Sequence, residues 1–155
     1  MFNYSFYYYQ KKNVIDCQYC YFINKPYNRI SEMNFFSELT SPKDESLLIV
    51  EISCHFNDSM WNRVEKKIFD TCIESLEKDN LINKNDVLDF KIIKVKDCYP
   101  IYRKGYEKNL NEVNNFLNEK KNLYSIGRQG QFYYGDIDQM AKIGFDTADK
   151  IISSK

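Results

Sequence analysis

The sequence predicts an α+β fold, with a mostly antiparallel sheet of about five or six strands and three main helices near 59–79, 105–119 and 136–152. Three observations predict it. Short stretches rich in Tyr, Phe, Val and Ile read as strands, and three other stretches repeat apolar residues every three or four positions. The sequence also has no Gly-x-Gly-x-x-Gly, the signature of an N-terminal dinucleotide-binding βαβ unit. At 155 residues the expectation is a single domain over 1–155, divided into a sheet portion, 1–102, and a C-terminal segment, 103–155.

Each element has its own signal. Residues 4–9 and 14–23 flank the polar run Gln10-Lys11-Lys12-Asn13 and read as a hairpin. Arg29–Phe36 reads as a short strand before the loop Thr40–Asp44. Leu47-Leu48-Ile49-Val50 is continuously apolar, and Ile52 and Cys54 then alternate with Glu51 and Ser53, which predicts a central strand. After Asn57-Asp58-Ser59, a cluster of N-capping residue types, Trp61, Val64, Ile68, Cys72 and Leu76 mark one face of a helix. Val87–Val95 forms another strand, with an apolar phase switch at Ile92–Ile93 that suggests a bulge. Tyr106, Leu110, Val113 and Leu117 define the second helix, and Leu123–Ile126 a short strand. Asp136 followed by Gln139 predicts a capping box. In the helix it opens, Ile137, Met140, Ala141, Gly144, Ala148 and Ile151 share a face small enough for close approach by a neighbouring element or a flat ligand.

Lys plus Arg and Asp plus Glu both number 22, so no net field draws the chain to nucleic acid or an anionic membrane. The sequence shows no membrane span and no secretory leader, and the expectation is a cytoplasmic protein. The five cysteines, Cys17, Cys20, Cys54, Cys72 and Cys98, are scattered through apolar patterns. Cys17-x-x-Cys20 lacks a second pair, and on a strand its spacing would send the thiols to opposite faces, so both read as packing residues and no metal site is assigned. His55, the single histidine, reads as structural.

Four of the five glycines fall between Gly127 and Gly144, while the first hundred residues hold none. Glycine serves where φ is positive or another group must approach the backbone. A strand, a glycine turn carrying Arg128 and a helix starting at Asp136 bring together a planar cation, a carboxylate and unpaired first-turn N–H groups. Those features suit a ligand site, but the same pattern is common in turns with no ligand. Tyr99, Tyr102, Tyr106 and Tyr134 read as pocket-lining or surface-packing rings.

Tyr99-Pro100-Ile101-Tyr102, Gly105-Tyr106, then Ile126-Gly127-Arg128-Gln129-Gly130-Gln131-Phe132-Tyr133-Tyr134, Asp138, Met140 and Gly144 resemble the C-terminal part of flavin-dependent amine-oxidase and protoporphyrinogen-oxidase-like proteins, with UDP-galactopyranose mutases as relatives. Tyr21-Phe22, Arg29-Ile30, Asn34-Phe35, Val50-Glu51-Ile52 and Trp61 extend the likeness upstream. The resemblance implies that Gly127, Arg128, Gly130, Asp136 and Ile137 border the flavin of FAD. It also implies that Tyr102, Phe132 and Tyr134 border a small-molecule substrate. The chain departs from that group in lacking the βαβ unit that holds the ADP half, and Tyr19 stands where relatives often carry tryptophan.

The leading expectation is therefore a partial FAD-dependent oxidoreductase of the amine-oxidase-like group, inactive and poorly FAD-binding unless a separate FAD-binding chain complements it. One alternative is a UDP-galactopyranose-mutase-like flavoprotein acting on a nucleotide sugar in polysaccharide biosynthesis. Another is a cofactor-free interaction module or gene remnant. No general base is assigned. Apolar surface left by the absent unit predicts a partner chain or self-association.

Overall fold

The computed structural model describes residues 2–9 and 13–154. Five strands form one sheet: β1 (Phe2–Tyr9), β2 (Tyr19–Tyr21), β3 (Arg29–Glu32), β4 (Ser46–Ser53) and β5 (Val87–Val95), in the order β2-β3-β4-β1-β5. Every neighbouring pair is antiparallel. The helices are α1 (Glu65–Lys78), α2 (Tyr106–Asn118), a single turn α3 (Gly127–Gly130) and α4 (Ile137–Ser153). The class is α+β, with three main helices, as the sequence predicts. The chain separates into two compact units, residues 1–98 and 99–155. No helix among the described residues is long and apolar enough to cross a membrane.

In the first unit β4 is the middle strand, as its apolar run requires. Leu48, Val50 and Ile52 are buried on one face, joined by Tyr7, Tyr9, Ile30 and Ile92 from neighbouring strands. Against them α1 lays Ile68, Phe69, Cys72, Ile73 and Leu76, the i, i+4 pattern of an amphipathic helix. The Ile, Phe and Leu side chains each contribute about 1.5–3 kcal/mol through removal from water. Phe69 anchors the layer, stacking on Phe90 at 4.2 Å and meeting Tyr7 at 5.4 Å.

The expected hairpin of 4–9 with 14–23 does not form. β1 lies between β4 and β5, and only Tyr19–Tyr21 of the second segment is a strand, paired with β3. A buried carboxylate explains the difference. Glu32, with no solvent exposure, accepts the backbone N–H groups of Asn13 at 2.8 Å and Ile15 at 3.0 Å and the Ser46 hydroxyl at 2.6 Å. Those N–H groups are therefore spent on a side chain and are lost to any ladder. Gln10, Lys11 and Lys12 of the expected turn lie outside the described residues.

Two boundaries also shift. The first helix begins at Glu65 because Asp58 closes a separate turn, accepting from the N–H of His55 at 2.7 Å and of Trp61 at 2.8 Å. Those backbone bonds, led by that from Trp61, hold the Asp58 carboxyl below its ordinary pKa. The bulge in β5 falls at Leu88 rather than at Ile92–Ile93, since Tyr8 pairs with Asp89 and Tyr9 with Val87. Ile92 is simply buried while Ile93 faces outward.

In the second unit, Leu123–Ile126 is not a strand, for among the described residues no partner strand accompanies it. Neither α2 nor α4 contains a buried residue. Nothing stands within 4 Å of a Cβ built at Gly144, so the close approach expected there is absent from this chain.

Candidate functional site

The glycine cluster folds as two successive turns. Gly127, at φ 79°, opens the short α3 in a conformation that a side chain would strain. A Cβ at Gly130 would sit 2.9 Å from Ser125 Oγ and 3.2 Å from the Ser125 carbonyl carbon, and Ser125 uses this space to donate to the Gly130 carbonyl at 2.7 Å. The chain then reverses through Phe132, which holds a positive φ of 50° despite its bulk. At the start of α4 the Gln139 side chain accepts the backbone N–H of Asp136 at 2.8 Å, and Asp136 reciprocates in the capping box the sequence predicts. The Ile137 N–H lies in the first turn of this helix, where no intrahelical acceptor exists, and its side chain is 89% exposed.

Arg128 ties these turns together. One terminal nitrogen donates to the Gly135 carbonyl at 2.7 Å. Its guanidinium carbon lies 5.2 Å from the Tyr99 ring centre and 4.9 Å from that of Tyr134, two rings themselves 5.0 Å apart. Ring faces are electron-rich, so the cation is held without a carboxylate neutralising it in this contact. The Tyr102 hydroxyl receives the Tyr134 backbone N–H at 2.7 Å and donates to the Phe132 carbonyl at 3.2 Å. Tyr106 and Phe132 complete the aromatic cluster, their centres 4.7 Å and 5.8 Å from that of Tyr102.

The second unit thus gathers all the sequence-predicted site residues into one neighbourhood, from Tyr102 through Gly127, Arg128, Gly130, Phe132 and Tyr134 to Asp136 and Ile137. It also reveals a groove of about 580 Å³, with Arg103, Lys104, Tyr106, Leu110, Gln129 and Phe132 among its walls. That size suits a small organic molecule. Sequence reasoning missed Arg103 and Lys104; the signal available was two adjacent cations beside the aromatic run Tyr99–Tyr106.

The first unit carries a separate polar cluster. Arg29 donates through Nε to Glu51 Oε1 at 2.9 Å and through a terminal nitrogen to the same oxygen, with the Tyr21 hydroxyl at 3.3 Å. Tyr19 and Tyr21 present their rings to the guanidinium at 5.3 Å and 5.7 Å. Burial opposes the Arg29 charge, but bonding and attraction from Glu51 outweigh it and the pKa rises. Sequence spacing gave no hint of this pair, which joins β3 to β4 across the sheet.

No family model matches the chain, and no curated protein matches it in sequence. Among solved structures it is similar to a UDP-galactopyranose mutase in its reduced form, with a TM-score of 0.80 and 19% identity over 99% of this chain. The shared feature is the fold. The chain spans 33% of that protein's length.

Proposed function

We propose that this chain is the substrate-side portion of a UDP-galactopyranose-mutase-like flavoprotein, acting on a nucleotide sugar once a dinucleotide-binding portion is supplied. The observation that carries the reading is Arg128, a planar cation held between Tyr99 and Tyr134 beside the exposed start of α4. A guanidinium fork matches the oxygens of a diphosphate, and phenol hydroxyls suit a sugar. The fold likeness to a UDP-galactopyranose mutase supports this reading, while the amine-oxidase-like alternative rests on the sequence motifs.

Of the residues expected to border the flavin of FAD, two remain open to it and two are engaged within the chain. Gly127 leaves open space at its backbone, and the Ile137 N–H is a first-turn donor suited to a ring carbonyl. Gly130, by contrast, makes room for Ser125, and Asp136 is engaged in its own capping box. FAD bound by a complementing chain would supply the electron-rich flavin of such chemistry. This chain's contribution is to orient the sugar diphosphate through Arg128 and Tyr134, with the Tyr102 hydroxyl bracing their turn, and to exclude water with Phe132. Ile137, Phe145 and Ile152 are apolar and exposed on α4, which supports a partner covering that helix.

Titration calorimetry with UDP-galactose tests the assignment. Wild-type chain should bind, and Arg128→Ala should weaken binding about tenfold or more, the loss of one charge-assisted contact. Equal binding by both proteins, or none by the wild type, sinks it. Addition of FAD alone should yield no protein-bound flavin spectrum, whereas co-expression with a chain carrying Gly-x-Gly-x-x-Gly should.

A further inference from the structure

We propose that Cys17 and Cys20 form a reversible dithiol–disulfide pair at the edge of the sheet, with low-molecular-weight disulfides such as oxidised glutathione as the electron acceptor. The sequence spacing argued against it, because positions three apart on a strand face opposite ways. The structure removes the premise. Only Cys20 belongs to β2, while Cys17 lies in the bent segment before it. The bend returns the Cys17 thiol to 2.9 Å from that of Cys20, and Cys17 also donates to the Tyr19 carbonyl at 3.3 Å. A covalent bond needs the sulfurs about 0.9 Å closer, a distance within side-chain rotation. Both thiols are half-buried, within reach of a small oxidant, whereas Cys54 and Cys72 are buried.

The bend is not accidental packing. Glu32 fixes it from both ends, accepting from Asn13 and Ile15 while its own N–H donates to the Gln18 carbonyl at 3.0 Å. The pair is thereby held in place before any oxidant arrives. Contact with Cys17 raises the Cys20 pKa. The proposed exchange begins with the Cys17 thiolate. That thiolate attacks one sulfur of oxidised glutathione and expels one glutathione thiolate. Cys20 then gives up its proton, attacks the Cys17 sulfur of the mixed disulfide and expels the second. Two electrons leave the protein, and the two released thiols carry the two protons. The ring so closed contains Tyr19, whose side chain lies against Arg29, so oxidation state acts directly on the Arg29–Glu51 cluster.

The test equilibrates the full chain with glutathione mixtures of increasing oxidised fraction, quenches in acid, alkylates under denaturing conditions and maps the peptides. The expected result is loss of two of the five thiols, both in the peptide spanning 17–20, restored by reductant and varying with the square of reduced glutathione. Cys17→Ser and Cys20→Ser should each stop at a stable adduct with one glutathione. Recovery of both cysteines as free thiols at the most oxidising mixture overturns the proposal. So does a lasting glutathione adduct on Cys17 or Cys20 in the wild type, as distinct from one on the equally half-buried Cys98. The wild-type map alone decides if either variant fails to fold.

Discussion

A terminal nitrogen of Arg128 donates to the carbonyl oxygen of Gly135 at 2.7 Å, so a side chain at the start of α3 closes the turn that launches α4. The same cation is the one offered to ligand, and its two tasks separate by substitution. Arg128→Lys keeps the charge but loses the planar fork, and should lower nucleotide-sugar affinity severalfold with little change in melting. Arg128→Ala should also destabilise the second unit by about 1.5 kcal/mol, the low end for a hydrogen bond to a charged group. Denaturant unfolding followed by tyrosine fluorescence measures the second effect.

Two glycines of one cluster should respond in opposite directions. Gly130→Ala forces a Cβ against the backbone of Ser125 and should cost about 1–3 kcal/mol. Gly144→Ala meets open space inside a helix and should stabilise the isolated chain by about 0.5–1 kcal/mol. If a partner covers α4, the Gly144 variant should bind it less well than wild type in a pull-down between purified chains.

Glu32→Gln keeps the shape of the buried side chain but removes the charge that gathers the N–H groups of Asn13 and Ile15. A loss of about 2–3 kcal/mol is expected in denaturant unfolding. Amide exchange at Asn13 and Ile15 should accelerate more than at β4 residues, because the segment before β2 is what the carboxylate secures.

Burial pushes the Cys72 thiol up to about 12 from an ordinary 9.0. The folded state therefore holds the neutral thiol more firmly than the unfolded chain does. Its stabilising contribution is complete below pH 9.0 and is lost as pH rises through about 12. Relative to Cys72→Ala, wild type should lose stability across that window, measured as the pH dependence of the unfolding midpoint. Cys72 should also resist alkylation until the chain unfolds.

Local patterns were the legible part of this fold. The apolar face of α1, the continuous run of β4 and the Asp136–Gln139 box are each written within a few consecutive turns or positions, and the structure follows them. Distant pairings were not legible. Nothing near β1 tells that its partners are β4 and β5, nor near Glu32 that it organises Asn13 and Ile15. At the site, Arg128 and its glycines stood out because their spacing is unusual. The role of Tyr102 as a bracket between Phe132 and Tyr134 depends on a thirty-residue separation that no local pattern encodes.

The position of β1 also governs how the chain must come together. Both of its neighbours lie far downstream, β5 as distant as Val87–Val95, so β1 emerges during synthesis well before either can receive it. Until then a tyrosine-rich strand stays unpaired on both edges, and the loop that finally closes on it is long and entropically costly. Nascent chains of this protein should therefore depend on a holding chaperone until residue 95 has left the ribosome, and sheet closure should set the pace of folding.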